Sequence, residues 1–164
     1  MPILTTDIKY KLSGGAANAD PLASIGGTKS SVDSGATIFD DVSSGEATSG
    51  DVEYRCVYIL NTHATLDYQT AKVWIQAQTP SADTDVAIGL AAAGLNAVET
   101  AVANENTAPA GVTFSAPSSF ASGLSLGTIP AGQYYGLWVR RTVNAAAASA
   151  SDGFTLRVQG DTNP

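Results

Sequence analysis

The run Asp51-Val52-Glu53-Tyr54-Arg55-Cys56-Val57-Tyr58-Ile59-Leu60-Asn61 constrains the fold more than any other part of the chain. In an extended strand successive side chains point to opposite faces. Val52, Tyr54, Cys56, Tyr58 and Leu60 then share one face, apolar throughout. Glu53, Arg55, Val57, Ile59 and Asn61 share the other, which starts charged and turns apolar. A segment so rich in aromatic and β-branched residues suits a strand that crosses the middle of a sheet and becomes covered on both sides as it goes in. The only cysteine, Cys56, sits inside it, and the only histidine, His63, just past its end. The residue types that usually advertise chemistry therefore fall where a scaffold is expected.

The 164 residues suffice for one domain with a full core and are too few for two ordinary ones. Charged residues are only 14% and aromatics 7%, yet hydrophobic residues reach 44%, with alanine making up the difference. Small side chains of this kind build poor amphipathic helices and pack well in short strands and tight turns. The net charge of −7 and a pI near 4.4, with no basic cluster longer than Arg140-Arg141, argue against a phosphate-backbone footprint. An acidic surface favours solubility and docking onto a basic partner. A single cysteine rules out an internal disulfide framework. No apolar run approaches the roughly 18–20 residues of a membrane helix. The first ten residues lack a basic region followed by an apolar one, so synthesis in a cytoplasm without an export address is expected.

Residues 1–50 read as a loop-rich arm, with a short edge strand at Asp7–Leu12, turn signals at Gly14-Gly15, Asp20-Pro21 and Gly26-Gly27, and a second short strand at Ala36–Phe39. From residue 51 strand signals recur at the 8–12-residue spacing of a sandwich or barrel. They fall at Thr70–Ala77, with Val73, Ile75 and Ala77 on one face, and at Asp85–Leu90. A soft segment at Ala97–Val102 follows, then a loop-like stretch from Asn104 to Ser122 that contains a short strand signal at Val112–Phe114. Gln133–Val143 and Phe154–Gln159 complete the set, the last with Phe154, Leu156 and Val158 facing inward. Ala91-Ala92-Ala93 and Ala145–Ala148 have helical propensity but are short and flanked by Gly, Asn or Ser, so they read as loop or single-turn structure. The expected class is all-β, an antiparallel β-sandwich with a body over 51–164.

Candidate chemistry is sparse. Cys56 and His63 are roughly 20 Å apart if the strand stays extended, too far for a thiol–base pair. Two such residues do not make a zinc site. Asp40-Asp41 and Asp83-Thr84-Asp85 offer paired carboxylates, but no full calcium-loop spacing accompanies them. Such turns also form for Asx hydrogen-bonding reasons alone. Trp74 and Trp138 lie in strong strands and read as sheet-packing residues rather than a sugar platform. No Gly-rich phosphate loop is present. No catalytic residue, cofactor or metal ligand is assigned, and an enzyme is not expected.

Several stretches together carry a family likeness: Asp7–Gly15, Phe39-Asp40-Asp41-Val42, Asp51–Tyr58, Asn61-Thr62-His63, Ala103–Pro109, Gly127–Gln133, Trp138–Thr142 and Leu156–Asp161. This pattern resembles a family of tailed-bacteriophage virion proteins that serve as head decoration or cement proteins. The resemblance implies a jelly-roll-like sandwich on the outside of an icosahedral head, made in the host cytoplasm, bridging subunits of the major capsid protein as a homo-oligomer. It implies no direct nucleic-acid or membrane partner. Residues 1–50 are the expected contact arm, and the side chains nominated for capsid contact are Asp7, Lys9, Tyr10, Lys11, Asp40, Asp41, Arg140 and Arg141. The rival expectation is a carbohydrate-binding or adhesin-like module on the virion surface or tail, which exposed Trp or Tyr side chains at one loop end would favour.

Overall fold

The computed structural model describes residues 2–145 and 152–162. Its strands are β1 (Ile8–Leu12), β2 (Asp51–Asn61), β3 (Tyr68–Ala77), β4 (Thr84–Leu95), β5 (Leu124–Ile129), β6 (Tyr134–Val143) and β7 (Thr155–Thr162). They form two antiparallel sheets, ordered β1-β2-β6-β4 and β5-β3-β7. From β2 onward every connection passes from one sheet to the other. The chain is therefore an all-β sandwich.

As its residues require, β2 lies inside the larger sheet, between β1 and β6, and Cys56 to Ile59 are buried on both faces. Val57 and Ile59 point into the space between the sheets, where they meet Leu137 and Val139 of β6 and Val86 and Ile88 of β4. Ala71, Val73 and Ile75 of β3 and Leu126 and Ile129 of β5 close that core from the other side. Phe154, Leu156 and Val158 pack against it partly buried.

The opposite face of the larger sheet is covered by loops rather than by a sheet. Cys56, Tyr58, Ala91 and Trp138 form a second buried cluster there, beneath Val102, Val112 and Phe114. The segment after β1 is stitched along it. Ser13 Oγ donates to the Cys56 carbonyl at 2.7 Å, the Cys56 amide donates to the Ser24 carbonyl at 2.7 Å, and the Tyr58 hydroxyl donates to the Gly27 carbonyl at 2.7 Å. The Tyr58 hydroxyl also accepts the Glu99 amide, joining the second loop to the first. At Gly89 the second loop comes so close that a Cβ would lie 2.5 Å from Val112 Cγ1, which leaves room only for glycine. The first fifty residues are thus bound to the body by β1–β2 pairing and by this loop layer.

Some elements differ from the sequence reading. Ala36–Phe39 is not a strand; those residues form bends whose Phe39 ring is buried and whose Ile38 carbonyl accepts from Arg55. Ala97–Val102 and Val112–Phe114 lie outside the named strands, with the isolated bridges Gly27↔Glu99 and Ile88↔Ser115 in or beside them. Ala91-Ala92-Ala93 extends β4, its Ala93 amide held by the Glu99 carboxylate. Leu124–Ile129 is a strand, β5, and Ser44–Ser49 a short helix, α1, capped reciprocally by Ser43 and Glu46. Ala77 is exposed because β3 carries an irregularity between Ile75 and Ala77. Ala146–Ala148 of the second alanine run lie outside the described residues, and Ala145 is in a turn.

Candidate functional site

At one end of the sandwich the charged start of β2 meets the charged end of β6. Register places Glu53 directly opposite Arg141. Both side chains, with Arg55, project to the face that carries Val57 and Val139, so the alternation that builds the core also drives three charges into the interior. Glu53 and Arg55 are fully buried and Arg141 nearly so. Burying a charge is costly unless it is paired and hydrogen-bonded. Here each is.

Arg141 Nε donates to Glu53 Oε2 at 2.6 Å and its Nη1 donates to the Asp40 backbone carbonyl at 2.6 Å. Arg55 Nη2 pairs with Glu105 Oε2 at 2.5 Å and lies 3.7 Å from Glu53 Oε1, while its Nε donates to the Ile38 carbonyl. The Phe39 ring lies against both guanidinium groups, 4.8 Å from Arg141 Cζ and 5.2 Å from Arg55 Cζ. Burial raises the Glu53 carboxyl above its ordinary range, and Arg141 and then Arg55 draw it part of the way back. The cluster therefore clamps two loops, the Ile38–Asp40 segment and the Glu105 segment, onto β2 and β6. Asp40, Glu53 and Glu105 lie close enough to hold a metal ion between them. Two guanidinium groups already pair with all three, leaving one net negative charge.

Beside the cluster a cleft of 280 Å³ is lined by Asp40, Asp41, Arg141, Thr79, Thr84 and Asp152, among others. Thr84 donates its hydroxyl to the Asp152 carboxylate across it.

The nominated contact residues fall into two groups. Tyr10 pairs with Ile59 and Arg141 with Glu53, six residues away along β2, or roughly 20 Å. In the first group Tyr10 packs against the main core, its hydroxyl unpartnered among the described residues and its acidity suppressed by burial. Lys11 pairs with Asp33 at 2.5 Å, which holds the Asp33 carboxyl below its usual range. Lys9 is half-buried on the strand face it shares with Lys11. Asp7 accepts the Leu4 amide with its side chain and the Thr62 amide with its carbonyl. In the second group Asp40 and Arg141 belong to the buried cluster and Asp41 is exposed on the cleft. Arg140 points the other way, over the Phe114 ring at 5.3 Å.

The remaining sequence candidates have structural partners. His63 Nδ1 accepts the amides of Thr65 and Leu66, closing the turn between β2 and β3. Cys56 is buried, and burial pushes its thiol up, away from reactivity. Trp138 is fully buried and Trp74 nearly so, the latter edge-on to Phe120 at 5.9 Å. Sequence reasoning left Glu53, Arg55, Phe39 and Glu105 out of the site, although Glu53 and Arg55 were visible as charges on an otherwise inward face. Comparison with protein-family models, characterised proteins and solved structures finds no match.

Proposed function

We propose that this protein is a virion structural protein that binds the outside of a tailed-phage head and stabilises the lattice of its major capsid protein. The observation that supports this reading best is the use made of its ionisable groups. The buried charges of β2 and β6 and the imidazole hold one layer or turn of the scaffold to another, and the thiol is buried beneath the loop layer. The passage of the chain from sheet to sheet at every step after β2 fits jelly-roll-like winding, and the first fifty residues are the part that meets the lattice. Asp41, Lys9 and Arg140 are the nominated side chains with charge left to offer a partner, since Asp40, Arg141 and Lys11 are engaged internally. A modest contact repeated over a symmetric shell gains through multivalency.

The test is a comparison of purified heads with and without the protein. Heads lacking it are expected to lose DNA at lower temperature, and the protein is expected at hundreds of copies per particle. Equal thermal tolerance together with a copy number of a few would overturn the proposal. A glycan-binding role on the virion or tail is favoured by one surface, where Phe120 is 39% exposed with Lys72 Nζ 5.2 Å from its ring. Micromolar binding on a glycan array, abolished by Phe120→Ala, would establish that role instead.

A further inference from the structure

We propose that the outer edge of β7 is a self-association surface, on which two copies pair antiparallel and join their three-stranded sheets into one of six strands. Exposed edges invite pairing unless blocked, and the other edges here are. Along β1, the Leu12 amide donates to the Val32 carbonyl, the Ser30 amide to Leu12 and the Ser34 amide to Tyr10. On β4, Ile88 exchanges both hydrogen bonds with Ser115. Even the part of β2 beyond β1 is capped, the Tyr54 amide by the Glu105 carbonyl and the Cys56 amide by Ser24. Edge strand β5 is short, and Gly127 interrupts it at φ 68° beside a register shift.

Among the described residues edge strand β7 has none of these devices. It runs eight residues without a proline, and the extra residues at its irregular pairings belong to β3, so its own backbone stays regular. Among the described residues no segment hydrogen-bonds to its outer edge.

The sequence of β7 is self-complementary. A two-fold axis through Gln159, normal to the sheet, sets Arg157 opposite Asp161 of the copy, and Asp161 opposite Arg157. Both residues are exposed on the outer face, the face on which Arg157 lies 5.8 Å from the Trp74 ring. Opposite charges directly across an antiparallel pair stabilise it and like charges oppose it. The same axis keeps the two inward faces together, placing Val158 opposite Gly160. It also brings the copy against a groove of 670 Å³ between β7 and the N-terminal strand, where Leu4 is 51% exposed. A two-fold interface of this kind uses the same patch on both copies. It does not depend on the capsid reading, because it concerns the free protein.

Sedimentation equilibrium of the full chain is expected to show a dimer. Arg157→Asp alone and Asp161→Arg alone each create two like-charge pairs, and each is expected to raise the dimer Kd about tenfold or more. Mixing the two variants restores both complementary pairs and is expected to yield a heterodimer. A wild type that stays monomeric at several hundred micromolar would overturn the proposal. So would single variants that dimerise as well as wild type, or a mixture that fails to associate while circular dichroism shows both chains folded.

Discussion

Replacing Glu53 by alanine is expected to lower the unfolding free energy by about 3–5 kcal/mol, the range found when one partner of a buried pair is removed. Arg141 would lose the Glu53 Oε2 that both its Nε and Nη2 contact while itself nearly buried, and Arg55 would lose the buried carboxylate 3.7 Å away. The lower figure is the better expectation, because Asp40 still reaches Arg141 and Glu105 still reaches Arg55. Urea unfolding followed by circular dichroism measures it. A change below about 1 kcal/mol would mean that the cluster is no stronger than a surface pair. Replacing the pair with apolar residues of similar volume is a separate case, since such swaps are often neutral.

The same carboxyl gives a pH dependence whose sign can be fixed. Its folded pKa is raised from the ordinary 4.5, chiefly by burial. The folded chain therefore holds this proton to a higher pH than the unfolded chain does. Its contribution is fully present below the ordinary pKa and is lost as pH rises through the raised one. Glu53→Gln is expected to flatten that segment of the stability profile. An unchanged slope would show that Glu53 titrates normally.

The second large effect is expected at Trp138. It is fully buried on the loop-covered face, opposite Cys56, and its indole nitrogen has no hydrogen-bond partner among the described residues. Its contribution is therefore burial and packing alone. Trp138→Ala should cost about 3–5 kcal/mol, a large share of the roughly 5–15 kcal/mol that such a domain possesses. The loss should appear first as weakened protection of the 13–35 and 96–117 loops, which pack over the cavity, rather than of the inter-sheet core. Uniform loss across both faces would contradict the picture of two separate clusters.

How much was legible follows from which signals are local. Alternation in Asp51–Asn61, Gln133–Val143 and Phe154–Gln159 identified β2, β6 and β7, because β2 and β6 bury one face almost throughout and β7 alternates half-buried with exposed residues. Strand β5 was hidden: Ser125, Gly127 and Thr128 dilute its pattern, and only Leu126 and Ile129 are buried. The alanines at 91–93 carry helical propensity, yet Ala91 is buried in the second cluster and the Glu99 carboxylate holds the Ala93 amide, a tertiary effect that outweighs propensity. The α1 cap, Ser43 with Glu46, was readable and short enough to overlook. In the cluster, the inward direction of Glu53, Arg55 and Arg141 is written in the strands, but their meeting depends on the register of β2 against a strand eighty residues away. Asp40 and Glu105 arrive on loops, whose positions no periodicity encodes.

The loop carbonyls that cap β2 have one more consequence. The amides of Tyr54 and Cys56 are protected by Glu105 and Ser24, neither of which belongs to a sheet. Exchange of those two protons with solvent deuterium therefore requires each loop to lift, and lifting either uncovers Trp138. With Trp138 in place loop and sheet open together, and these amides should exchange with the slowest in the chain; in the Trp138→Ala variant they should exchange through local lifting of the loops instead. What looks like trim on the outside of the sandwich melts only when the sandwich does.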